Sequence, residues 1–316
     1  MAEKKATRAA YGEALTALGE QHPELVVLDA DLSGATMTKS FAAKFPERFF
    51  DCGIAECNMT GIAAGMAAAG LKPFSNSFAI FSAGRAYEQI RNSIAYPRLN
   101  VKVVGSHGGV SVGEDGATHQ CIEDFALMRA IPGMTVVCPC DANEMRLAVE
   151  ALLEYDGPAY LRLGRAPVET VTDAVEGYRF ELGKGCTLRD GSDVSLIATG
   201  LTVQLALQAA ALLEAEGIWA RVIDMHTIKP LDEALVLKAA RETGCIVTTE
   251  EHSVIGGLGG AVAEFLSLEC PVPVVRHGVE DVFGRSGKAA EVLAYFGFTP
   301  EALAEKAKLA IQKKNH

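Results

Sequence analysis

The sequence predicts an α/β fold of two domains, the first with a mostly parallel sheet flanked by helices and the second smaller. Three observations carry this. Short β-rich apolar runs alternate with longer helical segments, the pattern of a sheet covered on both faces. The alternation breaks once, at "RAPVETVTDAVEGYRFELGKGCTLRDGSD", where Pro, Gly and charge accumulate, and then resumes. A chain of 316 residues that is 49% hydrophobic and 22% charged has enough apolar mass for two cores.

Taken in order, helical "ATRAAYGEALTALGE" precedes apolar "LVVLDA", and a small-residue helix at 57–69 follows "FFDCGIA". A long helical segment at 78–95 precedes "VKVVGSH", and a helix from about 119 to 130 precedes "MTVVCP". This gives a first domain over 1–170, a connection over 171–190 and a second domain over 191–316. In the second, "VSLIATG", "WARVIDM", "CIVTTEE" and "VPVVRHG" are strands, separated by helices at 201–216, 231–242 and 257–268, with more helix after 286.

The formal charge of -11 argues against general nucleic-acid binding, which needs a basic face. No apolar run reaches the roughly 18 residues of a membrane span, and "MAEKKATRAAYGEAL" lacks the apolar core of a signal peptide, so a cytoplasmic location is expected. The eight cysteines include no C-x-x-C and no Cys/His ladder, so no metal site is assigned and they read mostly as reduced, buried small hydrophobes.

Three stretches invite chemistry. In "DCGIAECNMTGIAAGMAAAG" the carboxylate Glu56 stands between an apolar run and a helix of small residues, where a first-turn charge facing the helix dipole and a buried functional acid are both open readings. "GGLGGAVAEFL" opens a helix after a strand and suits either an anion or a tight turn; its spacing is not G-x-G-x-x-G and no P-loop Lys follows, which leaves a nucleotide-dependent dehydrogenase weakly supported. "GSHGGVSVGEDGATHQ" follows a strand and holds two His, an Asp, a Glu and five Gly, which fits a solvated loop or a ligand loop beyond a strand end.

Together with "SFAIF", "MTVVCPCDANE", "YLRLGR" and "EEHSVIGGLGG", these stretches resemble the thiamine diphosphate enzymes of the transketolase family, in order from about residue 6 to about 300. The resemblance covers the pyrimidine-binding domain and the C-terminal domain of that family. The G-D-G motif and following Asn that bind Mg²⁺ and the diphosphate have no counterpart here. It therefore implies one subunit of a split transketolase, with those ligands on a separate N-terminal chain, in an α2β2 heterotetramer that moves a glycolaldehyde unit between sugar phosphates.

The resemblance also implies residue roles. Glu56 is catalytic and cofactor-binding, sharing a proton with the pyrimidine ring nitrogen in a small, apolar setting that favours sharing. Phe81 and Phe78, at i and i+3 on one helical face, stack on the pyrimidine; Gly84 stands at a third aromatic position, leaving the pocket open or filled by Tyr87. His119 is catalytic and meets the donor hydroxyls, Asp115 meets the acceptor hydroxyl, and His107, Arg165 and Arg8 grip the distal phosphate.

Gly108 stands where many relatives have Asp, and Cys57 where Gln or His is usual, which leaves the acceptor open. His252 and His277 receive no role. The β component of 2-oxo acid dehydrogenases shares "EEH" before a Gly-rich helix start, and deoxyxylulose-phosphate synthase is similar around "GRAYEQ". A non-catalytic scaffold subunit is argued against by the retention of Glu56, Asp115 and His119.

Overall fold

The computed structural model describes residues 4–315. Its strands in chain order are β1 (Lys5–Ala6), β2 (Leu25–Asp29), β3 (Phe49–Asp51), β4 (Lys72–Phe78), β5 (Lys102–Ser106), β6 (Thr135–Val137), β7 (Ala159–Arg162) and β8 (Pro167–Val168). The later strands are β9 (Cys186–Arg189), β10 (Val194–Ala198), β11 (Ala220–Asp224), β12 (Thr227–Lys229), β13 (Ile246–Ser253) and β14 (Val274–Val279).

A seven-stranded sheet runs β12-β6-β7-β5-β4-β2-β3, parallel except at β12. A five-stranded sheet runs β14-β13-β10-β11-β9, parallel except at the edge strand β9. Alternation along the strands builds the cores: Leu25 and Val27 face one side of β2, Val26 and Leu28 the other. In the second sheet Leu196 and Ala198 pack under the helices Thr202–Ala215 and Pro300–Lys314. Ile197 and Ile223 point the opposite way, into a core shared with Phe125, Met128 and Val136 of the first half. The two halves are therefore joined by apolar packing as well as by β12, which leaves the second half to pair with β6.

Four sequence expectations change. The segment 78–95 is not one long helix: Phe78 ends β4, opposite Ser106, and the chain then winds through π-helical turns at Ile80–Arg85 and Ile90–Ala95. The helix expected from 119 starts at Asp124, because a short turn holds the preceding residues, with His119 N–H donating to the Gly116 carbonyl. Inside the expected connection, Cys186–Arg189 is β9, pairing with β11. Strand β4 itself was hidden by its polar sequence "KPFSNSF". Its Asn76 is buried by bonding to the Leu28 and Phe74 carbonyls and accepting from Tyr11 at 2.6 Å.

At the seam between the halves lies an acid cluster. Ligand-type atoms of Cys140, Glu144 and Asp224 all lie within 4.8 Å of one another, fully buried. Glu144 accepts from the Cys140 N–H at 2.6 Å and from the Tyr178 hydroxyl, whereas both Asp224 oxygens lack a hydrogen-bond partner. Burial first, then the neighbouring Glu144, push the Asp224 carboxyl far above the ordinary range. Two buried anions this close would repel strongly, which favours the neutral form of Asp224.

Candidate active site

Functional side chains gather where parallel strands end, the position at which open α/β sheets bind ligands. Glu56 follows β3 and opens the helix Glu56–Ala68; Phe78 ends β4; His107 follows β5; Arg165 follows β7.

Glu56 is only 2% exposed, yet its surroundings are not purely apolar. Its Oε2 accepts from Arg85 Nη1 at 2.7 Å, and its Oε1 has only a 3.4 Å contact from the Ser77 hydroxyl. The Arg85 side chain is 46% exposed and lays its guanidinium 4.5 Å from the Phe81 ring centroid. Sequence reasoning missed Arg85; the one available signal was its place in "GRAYEQ". Tyr87 packs onto the core, so the side chain over Phe81 is Arg85.

Phe78 and Phe81 share no helical face, but their rings stack with centroids 6.1 Å apart. The π-turn supplies the geometry that an α-helical i, i+3 spacing was expected to supply. His107 stacks on Phe78 at 4.1 Å, and His119 meets the edges of Phe78 at 6.1 Å and Phe81 at 5.3 Å. Two aromatics and two histidines thus form one wall.

His107 holds a backbone φ of 60°, a left-handed conformation that costs a non-glycine residue energy and marks functional sites. Ser106 fixes its Nδ1 at 2.8 Å, and Arg8 Nη1 lies 3.5 Å from its Nε2 while donating to the Ala35 carbonyl at 2.8 Å. Burial, with Arg8, Arg165 and His119 adding, lowers His107 to about 3. Burial and the nearby Arg165 also lower Arg8. Like charges held together in this way suit an anion.

Arg165 donates to the Val112 carbonyl and lies 3.3 Å from Glu114. Asp115 is exposed on the single turn Gly113–Asp115 and, among the described residues, makes no side-chain hydrogen bond to the aromatic wall. Gly108 has a packing reason: a Cβ there would fall 1.9 Å from Nε of the buried Arg162.

The Gly-rich helix start at 257 is already served by an internal anion. Glu250 accepts from the Leu258 and Gly259 N–H groups at 2.6 and 2.7 Å, which removes the site a nucleotide phosphate would use. His252 and His277 have structural partners, the Ser253 carbonyl and Ala126 N–H for the first, Thr249 and the Gly297 carbonyl for the second.

The chain is similar to known proteins along most of its length. Residues 3–170 match the family model described as transketolase, pyrimidine binding domain, and residues 183–303 that of transketolase, C-terminal domain. A putative transketolase C-terminal section from Methanocaldococcus jannaschii is 50% identical over 303 residues, 96% of this chain and 95% of that one. A 6-deoxy-6-sulfo-D-fructose transketolase subunit from Clostridium sp. is 44% identical over 308 residues, 98% of this chain and 95% of that one. Among solved structures, a split gene transketolase described as an inactive beta4 tetramer superposes with a TM-score of 0.90 at 50% identity, covering 99% of this chain and 100% of that one.

Proposed function

Because the chain belongs to the transketolase family, we propose that it is the pyrimidine-side subunit of a two-chain transketolase that moves a two-carbon ketol unit from a ketose phosphate to an aldose phosphate. The observation that carries this reading is the convergence of Glu56, the Phe78/Phe81 wall, His119 and the Arg8/His107 pair at the strand ends of one sheet. In this reading 1–170 forms the pyrimidine-binding domain and 191–316 the C-terminal domain.

The residues suit thiamine diphosphate. A flat aromatic ring finds the Phe78/Phe81 wall, and a ring nitrogen finds a buried carboxylate whose Oε1 has only the long Ser77 contact. When bound, that cofactor supplies an acidic ring carbon whose conjugate base adds to ketones. Glu56 holds a proton against the ring nitrogen, with Arg85 and Ser77 orienting its two oxygens. His119, with Nδ1 2.9 Å from the Thr118 hydroxyl, keeps Nε2 for a substrate hydroxyl. His107, Arg8 and Arg165 hold the phosphate end, and Asp115 meets the acceptor hydroxyl.

The Mg²⁺ and diphosphate ligands are assigned to an N-terminal partner subunit in an α2β2 heterotetramer. Exposed apolar side chains support a partner: Ile54, two residues before Glu56, is 76% exposed, and Phe283 is 89% exposed beside a cavity of about 260 Å3 that also involves Ile80 and Ala117.

The test is to co-express the chain with the neighbouring open reading frame and assay xylulose phosphate against ribose phosphate, then a panel of ketose donors. Thiamine-dependent ketol transfer by the pair, and none by the lone chain, is expected. Full turnover by the lone chain, or no turnover of any ketose by the pair, refutes the reading.

A further inference from the structure

Consecutive residues of β13 serve the two halves of the molecule. Side chains alternate along a strand, so Glu250 turns inward to cap Leu258–Glu269 while Glu251 points the opposite way, across the seam. There its Oε1 accepts from the Ser111 N–H at 2.5 Å, in the loop that carries His107 at one end and His119 at the other. The fit is close. A Cβ on Gly109, whose φ is 84°, would fall 2.3 Å from the Glu251 carboxyl carbon.

Glu251 is buried, and burial pushes its carboxyl upward while Arg162 opposes that shift. Arg162 also locks the backbone around it, with Nη2 donating to the Glu251 carbonyl at 2.8 Å and to the Cys121 carbonyl at 3.1 Å. Asp124 lies 3.3 Å from Arg162 Nε and accepts from Tyr160 at 2.8 Å. The Cys121 carbonyl accepts in turn from the Gly109 N–H at 2.7 Å. Among the described residues the Glu251 carboxylate thus has one hydrogen-bond partner, the Ser111 N–H, inside a frame that Arg162 fixes through the backbone on either side.

We propose that Glu251 is a positioning residue: a brace from the second half of the chain that sets the 107–120 loop and so places His107 and His119. Its kinetic consequence rests on the transketolase reading; the brace itself does not.

Two measurements test it. In the free chain, Glu251→Ala speeds amide hydrogen exchange at 109–112 by about ten-fold or more, while Glu251→Gln, whose carbonyl oxygen still accepts from Ser111, stays near wild type. In the two-chain enzyme, Glu251→Ala raises KM for the ketose phosphate about ten-fold with a smaller fall in kcat. Should Glu251→Ala fail to fold, Glu251→Asp keeps the charge beside Arg162 but withdraws the oxygen from Ser111, and the same local loosening is expected. Exchange at 109–112 that is unchanged, or raised equally along the whole chain, overturns the brace. A pair that transfers no ketol at all refutes the proposed function, and the exchange comparison still decides the brace.

Discussion

The Arg85 guanidinium donates to the Glu56 carboxylate at 2.7 Å and at the same time covers the Phe81 ring at 4.5 Å. One exposed cation thus touches both groups proposed to hold the cofactor's pyrimidine. A ring that stacks on that face of Phe81 has to displace the guanidinium, whereas Glu56 Oε1 is free of it.

Glu56→Gln separates charge from shape. The carboxamide oxygen still accepts from Arg85, so the melting temperature should move by no more than a few degrees. Turnover of the assembled pair should fall by roughly 100-fold or more, because an amide cannot hold and return the ring proton. Activity within a factor of two of wild type would return Glu56 to the role of a helix-start charge.

Arg165→Ala should discriminate between substrates. Losing one charge-assisted contact, worth about 1.5–3 kcal/mol, raises KM roughly 10- to 100-fold for a phosphorylated donor. An unphosphorylated donor such as hydroxypyruvate should be little affected. Equal losses on both would remove Arg165 from the phosphate grip.

His107 should stay neutral across the working range. Its value in the folded chain is about 3, against 6.5 when unperturbed, so the folded state binds fewer protons than the unfolded state between these values. The His107 contribution to stability is therefore complete above about pH 6.5 and is lost as pH falls toward 3. Its ring resonances in the free chain should not titrate between pH 8 and about 5. A midpoint near 6.5 would show that the ring is not desolvated by burial and that Arg8 and Arg165 do not act on it.

Much of this was legible in the sequence because periodicity reports burial directly: the second half's strands and helices lie where "VSLIATG", "WARVIDM" and "CIVTTEE" put them. Strand β4 was not legible, since Ser75, Asn76 and Ser77 are polar and only tertiary partners make them buriable. Phe78 and Phe81 were expected on one helical face from their i, i+3 spacing; the strand end and π-turn that instead bring their rings together have no local signal. Arg85 and Glu251 were missed for a common reason. Each acts on a residue far away in the chain, and no spacing rule reaches across 29 residues or 140.

Asp224→Asn tests the acid cluster at the seam. Asp224 is raised well above its unfolded value of 3.8, so between that value and its folded one the native state binds more protons than the unfolded chain. Stability from this group is present at low pH and is lost as pH rises through the folded value, which makes a neutral residue there favourable at pH 7. Asparagine matches the shape and needs no proton. The variant should melt a few degrees higher at pH 7, with the gain shrinking as pH falls toward 4. Glu144→Gln should behave differently, because it alters the acceptor of the Cys140 N–H and the Tyr178 hydroxyl. A lower melting temperature for Asp224→Asn at every pH would mean that Asp224 is ionised in the folded chain and held by a cation.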